Sequence, residues 1–362
     1  SMTKAAELAK MGEVLTNGQI GGRRNIVING AMQVAQRATS ATGVGSAGGY
    51  FTLDRFRINT GASAGRATMT QTADGPSGFA NCLKLDCTTA DTSIAAGENL
   101  IITHRIEGQD LQQIKKGTSD AEKVTISFYV KGNASATYML EVKDSDNTRL
   151  NHNQFAVTTD WTRIVITLNA DTTGAFDDDN ALSLELSFWL HAGSTFTSGT
   201  YTSNTWAGQT NANRAVGITS FFDSTNRTFF LTGLQLEVGS VATPFEHRSL
   251  GEELALCQRY YYRHATATLI GNGGYQTSGH IETVVDYPVT MRTGPSLDHT
   301  SGTNYYRAKR LDADDDFNGF DIAIASSRNA LLYQTSNLSG TAGDYARIYC
   351  LADGIVSFDA EL

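Results

Sequence analysis

A long polar loop between residues 193 and 214 carries the side chains best suited to binding chemistry. It contains the aromatic residues Tyr201 and Trp206, followed by Asn211, Asn213 and Arg214. An aromatic ring offers an apolar face to the C–H groups of a sugar, and amide and guanidinium groups exchange hydrogen bonds with its hydroxyls. We therefore predict that these five residues bind carbohydrate. Two alternatives remain open for Trp206, which could instead anchor the loop or contact another subunit.

Few residues have the spacing of metal ligands. Asp312, Asp314 and Asp316 alternate as in a calcium loop, but Phe317 takes the glycine position and Ala323 the position of the bidentate glutamate. We expect an exposed acidic turn, with a structural calcium ion as the alternative. The seven histidines include no pair at metal spacing and the four cysteines form no CxxC motif. No cofactor or other metal site is predicted, and the cysteines are expected to be buried free thiols.

Two enzyme motifs occur without the elements that would make them work. Gly43, Gly45 and Gly48 spell G-x-G-x-x-G, but no strand is predicted before them and no helix after them. Residues 61–65 spell G-x-S-x-G, yet a strand is expected to follow where a nucleophile elbow needs a helix. Both segments are interpreted as loops. Paired carboxylates of a glycosidase depend on the fold and cannot be located in the sequence. Because no motif supports catalysis, we predict no enzyme.

Composition narrows the class of partner. The chain has 28 basic and 37 acidic residues, a formal net charge of −9, and no run of lysine or arginine. This argues against nucleic acid as a partner. No apolar run reaches the roughly 18 residues of a membrane helix, so no membrane insertion is expected, and no signal peptide is recognised. The 35 glycines against 4 prolines indicate short strands joined by tight turns.

Alternating segments predict a large β-sandwich over residues 25–248. In residues 123–132 every second residue from Val124 to Val130 is apolar, and the same period recurs from Leu182 to Leu190. This is the pattern of half-buried strands. The second of these strands is expected to be central, with Trp189 and His191 on the face opposite its leucines. Many strands with long, non-sequential connections favour a jelly roll.

The end of a strand followed by the start of a helix marks the end of that domain. Pro244 cannot continue a central strand, and Ser249 with Glu252 forms an S-x-x-E capping box. A linker helix is predicted over residues 249–264, with Leu250, Leu254, Cys257 and Tyr261 along one face.

The complete prediction is an all-β fold with short N-terminal and linker helices. Residues 1–24 form an N-terminal segment for assembly, whose helix places Ala5, Leu8, Met11 and Leu15 on one stripe. Residues 25–248 form the jelly-roll β-sandwich, and turn signals after the linker helix predict a smaller C-terminal β-sandwich over residues 265–362.

Four segments carry a resemblance to a known family. They are NIVINGAMQVAQR, YFTLDRFRI, RIEGQDLQQIKKGT and TGLQLEVGSVATPFEHRSLGEELALCQRYYY. In these segments the chain resembles bacteriophage tail-fibre and receptor-binding proteins that carry a jelly roll like that of carbohydrate-binding modules. The resemblance implies a virion protein of the phage tail, a homotrimer attached to other tail proteins, that binds bacterial surface glycans without catalysis.

Two alternatives to this function stay open. One is a purely structural tail or baseplate component that makes protein contacts only, and the other is a hydrolase or lyase of surface polysaccharide. The resemblance identifies neither the host and the sugar nor the residues that touch it.

Overall fold

The computed structural model describes residues 4–5 and 23–362 of the chain. Two compact units are present, of which the first ends at Arg248 and the second spans Ser249–Leu362. The predicted N-terminal helix falls almost entirely outside the described residues. Within the described part of the chain, no helix has the length and apolar character needed to cross a membrane.

Two antiparallel sheets form the first unit. The six-stranded sheet has the order β1 (Ser40–Val44), β4 (Arg66–Thr72), β5 (Cys82–Thr89), β13 (Thr228–Val238), β7 (Val124–Gly132), β10 (Thr162–Leu168). The seven-stranded sheet has the order β12 (Ala207–Gly208), β9 (Arg149–Val157), β8 (Ala136–Asp144), β11 (Leu182–Ala192), β6 (Asn99–Glu107), β3 (Phe56–Thr60), β2 (Gly49–Tyr50). Sequence neighbours often lie in different sheets, which is the arrangement of a jelly roll.

The core lies between these sheets and follows the predicted alternation. Ile126 and Phe128 of β7 face Leu186 and Phe188 of β11, and the rings of Phe128 and Phe188 meet edge to face with centroids 5.1 Å apart. Each such side chain contributes about 1.5–3 kcal/mol when fully buried. Strand β11 occupies the middle of its sheet, between β8 and β6, so its prediction as a central strand is confirmed.

The glycine motif at Gly43, Gly45 and Gly48 is preceded by a strand, contrary to the prediction. Strand β1 contains Gly43 and pairs with β4 through a bulge, and β2 begins at Gly49. Gly43 and Gly45 have φ values of +70° and +112°, which turn the chain between the two strands. Pairing with β4, rather than local alternation, makes this segment a strand. A helix still does not follow, so the segment lacks the helix N-terminus that would hold a pyrophosphate.

Within residues 23–362 there are two short α-helices, α1 (Ser194–Thr197) and α2 (Leu250–Gln258). Helix α2 begins as predicted, because the Ser249 hydroxyl accepts a hydrogen bond of 3.3 Å from the amide of Glu252. Its predicted apolar face is wrong in two places. Leu250 is 60% exposed, and Tyr261 lies in a strand because its run of tyrosines pairs with the C-terminal strand of the chain.

The second unit is a smaller β-structure with its own core. A three-stranded sheet has the order β14 (Tyr261–Thr266), β23 (Ile355–Asp359), β17 (Ser296–His299). A seven-stranded sheet has the order β19 (Asp314–Phe317), β18 (Tyr306–Lys309), β22 (Tyr345–Cys350), β15 (Leu269–Thr277), β16 (His280–Asp286), β21 (Asn329–Gln334), β20 (Asp321–Ala325). Ile281, Leu332, Ile348 and Phe358 belong to a core separate from that of the first unit. The all-β fold class is confirmed, and all four cysteines are buried and free, as predicted.

Candidate functional site

The predicted sugar-binding loop covers the outer face of the seven-stranded sheet in the first unit. Trp189 points away from the inter-sheet core, as predicted, but is buried. The prediction for His191 is wrong, because a bulge after Trp189 pairs His191 with Leu100 of the core and places its ring 5.2 Å from that of Phe222. Trp189 packs with Met139 and Ala215 in a small apolar cluster, against which Phe196 of α1 lies. The loop is therefore fixed to the sheet by an apolar contact of its own.

Tyr201 and Arg214 are engaged in holding this loop. The Tyr201 ring packs on the Trp189 cluster, and its hydroxyl accepts a hydrogen bond of 3.1 Å from the amide of Gln154. The Arg214 guanidinium lies 4.8 Å from the Trp189 ring centroid and donates to both oxygens of Glu141, at 2.9 and 2.6 Å. These contacts are structural, and contact of Tyr201 or Arg214 with sugar stays a prediction.

Glu141 is a carboxylate with no exposed side-chain surface. Burial alone would raise its pKa, but hydrogen bonds from Arg214 and from His152, whose Nε2 lies 3.2 Å away, hold the pKa below its ordinary value. The carboxylate therefore stays ionised at neutral pH, and Arg214 is its main counter-charge.

Trp206 directly precedes the edge strand β12, which pairs with the first two residues of β9. Its Nε1 donates to the carbonyl of Asn169 at 2.9 Å, and the Lys116 ammonium lies 5.5 Å from the ring centroid. The cavity beside the ring has a volume of about 20 Å³, room for about one water molecule. These are the contacts of the loop-anchoring alternative.

The structure does not gather the five predicted residues into one cluster. Tyr201 contacts Gln154, whereas the residue after Trp206 pairs with Leu150 of β9. These two positions are about 13 Å apart along the strand. Asn213 accepts a hydrogen bond of 2.8 Å from the amide of Thr200, and Asn211 is exposed next to it, accepting one of 3.1 Å from Gln209.

The predicted acidic turn at Asp312, Asp314 and Asp316 is largely a strand instead. Asp314–Phe317 forms β19, which pairs with β18. The Arg307 guanidinium contacts Asp316 at 2.6 Å and Asp314 at 3.2 Å. Arg307 holds the pKa of Asp316 below its ordinary value, against the raising effect of burial. The sequence shows the spacing of the acidic residues, but it does not show that Arg307 on the neighbouring strand forms ion pairs with two of them.

A groove on the outer face of the second unit's seven-stranded sheet was not found from the sequence. Tyr345 of β22 is 58% exposed there, and its hydroxyl donates to Asn272 Oδ1 of β15 at 2.6 Å. Arg347 lies on the same face, paired with Asn272, and Tyr345 is paired with Gly274. Tyr345 therefore stands beside a guanidinium and an amide, above a strand position that has no side chain.

Two depressions meet at Tyr345. The first, of about 440 Å³, is lined on its other sides by Lys309, Arg310, Leu311, Asp312, Asp344 and Arg347. The second, of about 340 Å³, is lined by Asn272, Gly273, Gly274, Gln276, Glu282, Thr283, Val284 and Leu331. Both sizes are in the usual range of about 300–1,000 Å³ for ligand sites. The only sequence signal was the alternation in residues 345–349, which puts Tyr345, Arg347 and Tyr349 on one face.

A second group of residues missed from the sequence consists of Asp91, Glu98 and His191. They are buried, and one ligand-type atom from each lies within 4.8 Å of the others. Burial lowers the pKa of His191, and the two carboxylates oppose that shift. The histidine is far from the two acids in the sequence, so no spacing motif could reveal them.

Comparisons with known proteins give similarity in fold only. No protein-family model matches the chain, and no curated protein matches it. Among solved structures, it is similar to a CBM4 module at 11% identity and a TM-score of 0.33, covering 59% of this chain and 99% of the module. The CBM22-1 xylan-binding domain of Paenibacillus barcinonensis gives 13% identity and a TM-score of 0.29, covering 61% of this chain and all of that domain.

A phage structure is also among these neighbours. The enzymatically active domain of tailspike protein 4 from bacteriophage CBA120 matches at 11% identity with a TM-score of 0.30, covering 59% of this chain and 21% of that one.

Proposed function

We propose that this chain is a tail protein of a phage virion that attaches to bacterial surface glycans without catalysis. The observation that carries the glycan-binding part is the exposed ring of Tyr345 between two depressions, beside Asn272 and Arg347. A sugar ring would stack on the tyrosine face while its hydroxyls bond to the amide, the guanidinium and the carboxylates of Asp344 and Glu282.

The shape of the groove favours a glycan chain over a small enclosed ligand. Its lining residues come from five neighbouring strands, β18, β22, β15, β16 and β21, so the groove crosses the sheet. The groove carries charges of both signs, with Lys309 and Arg347 paired on neighbouring strands and Glu282 across Gly274 from Tyr345. Such a surface suits an extended polymer with both hydroxyl and charged substituents.

The phage assignment rests on the sequence segments at residues 25–37 and 232–262, which resemble tail-fibre proteins. A homotrimer attached to other tail proteins would present three such grooves. Individually weak sugar sites would then gain avidity, since each further contact becomes intramolecular after the first.

A purely structural tail component is the rival that one observation favours. Val284 of β16 and Ile324 of β20, which lie on either side of β21 in the same sheet, are 56% and 62% exposed. Apolar side chains of this kind could contact another protein instead of a glycan.

Binding to purified envelope fractions of the host separates these functions. We expect the intact protein to bind the polysaccharide fraction, and to lose that binding when free oligosaccharide is added. Binding only to other tail proteins would support the structural rival. Release of reducing sugar from the polysaccharide would support a hydrolase.

A further inference from the structure

We propose that Asp91, Glu98 and His191 form a binding site for one first-row divalent cation, with zinc as the ion that fits the ligands best. Asp91 follows β5, Glu98 directly precedes β6, and His191 is near the end of β11. The three ligand atoms lie within 4.8 Å of one another in the first unit, and this site is independent of the proposed glycan groove.

Two of these atoms are buried without a hydrogen-bond partner. Glu98 is 7% exposed and His191 is fully buried, yet neither Glu98 Oε2 nor His191 Nε2 makes a hydrogen bond. They lie 3.6 Å apart, which is too long for a hydrogen bond. Donor atoms around a tetrahedral zinc ion with bonds of about 2.0–2.2 Å are roughly 3.3–3.5 Å apart. The gap therefore matches a shared ion better than a direct contact.

Neighbouring groups hold the ligands in place. The other ring nitrogen of His191, Nδ1, lies 2.7 Å from the Ser220 hydroxyl, which fixes the ring with Nε2 toward Glu98. The Asp91 carboxylate accepts hydrogen bonds from the Ser63 hydroxyl at 2.9 Å and from the amides of Ala64 and Ser93 at 3.0 and 3.2 Å. Outer partners of this kind orient the ligands in known metal sites.

The ligand set selects the class of ion. One imidazole nitrogen and two carboxylates suit zinc and similar transition ions, whereas calcium takes six to eight oxygen ligands. Two buried carboxylates also need a positive charge nearby, and a dication would supply it. Residues 92–97, which connect the two acidic ligands in the sequence, are exposed. Once bound, the ion would tie this loop to β11.

The test uses the full chain, stripped of metal with a chelator and then titrated with zinc chloride. We expect calorimetry to give one zinc ion per chain, and a hundredfold excess over Kd to raise the Tm of the first unit by roughly 5–10 °C. Calcium and magnesium should produce no comparable shift. Loss of a residue that only hydrogen-bonds to a metal ligand typically weakens metal binding about 10–100-fold. Glu98→Gln and His191→Gln remove a ligand itself, so each should weaken zinc binding by more than this.

His104→Gln is the matched control. This histidine is equally buried in the neighbouring strand β6, but it faces Arg55 and Arg248 rather than carboxylates. Its variant should bind zinc as the wild type does. If the ligand variants fail to fold, X-ray absorption of the zinc-loaded wild type decides the matter by showing one nitrogen and at least two oxygen ligands.

Three results would overturn the proposal. The first is no stoichiometric zinc uptake, as expected if Asp91 and Glu98 merely share a proton. The second is zinc affinity that survives both ligand substitutions. The third is an absorption spectrum without nitrogen and carboxylate ligation.

Discussion

Replacement of Arg214 by methionine tests whether this residue is structural or contacts ligand. Methionine keeps an apolar chain over Trp189 but leaves the Glu141 carboxylate, which has no exposed surface, with His152 alone. Removing one partner of a buried ion pair typically costs 3–5 kcal/mol. Because the Arg214 side chain retains 14% exposure, we expect about 3 kcal/mol of lost stability in the first unit.

Urea unfolding followed by tryptophan fluorescence measures this loss directly. All three tryptophans, Trp161, Trp189 and Trp206, belong to the first unit, so the signal reports that unit alone. The double variant Arg214→Met with Glu141→Gln should recover most of the loss, since the stranded charge is gone. A loss below about 1 kcal/mol, or a double variant as unstable as the sum of the single ones, would refute the structural role. Weakened glycan binding in a stable Arg214→Met variant would instead support the sequence-based prediction.

Three further predictions concern stability. Burial, followed by Arg55 and Arg248, lowers the pKa of His104 from 6.5 to about 3. On acidification the imidazole is therefore protonated in the unfolded chain at a higher pH than in the folded protein. The free energy of unfolding should keep its full value above pH 6.5 and decrease between pH 6.5 and pH 3, with a loss of about 2 kcal/mol at pH 5. Unfolding measured between pH 7 and 4 should be less pH-dependent in His104→Gln, and parallel profiles would contradict this. Ser249→Ala removes the cap of α2 and should lower the free energy of unfolding of the second unit by about 1 kcal/mol. Near-ultraviolet circular dichroism of the tyrosines measures this loss, and Ser249→Asp, which keeps a capping side chain, is the control. Gly233→Ala should lower the Tm of the first unit, because φ is +64° and the new Cβ would lie 2.8 Å from the Phe79 ring. Since movement of the ring would relieve only the contact and not the backbone strain, an unchanged Tm would contradict this prediction.

The sequence predicts those features of the fold that depend on local chemistry. Period-two alternation identified β7 and β11 and the faces they bury, because a strand places successive side chains on opposite sides. The capping box located the start of α2 to the residue. The end of α2 was missed because Tyr261 pairs with Asp359, nearly a hundred residues away. A distant partner outweighs local helical spacing there.

The candidate sites were harder to predict because they depend on neighbours across strands. Tyr201 and Arg214 looked free to bind sugar until the structure placed Gln154 and Glu141 against them. The groove requires β22 beside β15, so that Tyr345 stands above Gly274. Polar residue types in a loop indicate what a site could bind, but only the register shows which side chains remain available.

The most direct test of the proposed glycan site is the binding of host envelope polysaccharide to Tyr345→Ala. Leu250→Ala is the matched control, because Leu250 is equally exposed but lies on α2, outside the residues that line the groove. Gly274→Val offers a second route, since the new Cβ meets only the Asp344 carbonyl, at 3.7 Å, and the methyl groups beyond it would occupy the floor of the groove. We expect roughly tenfold weaker binding for Tyr345→Ala, the equivalent of about 1.4 kcal/mol of stacking, and wild-type binding for Leu250→Ala. Undiminished binding by both Tyr345→Ala and Gly274→Val would contradict the assignment of the glycan site to this groove.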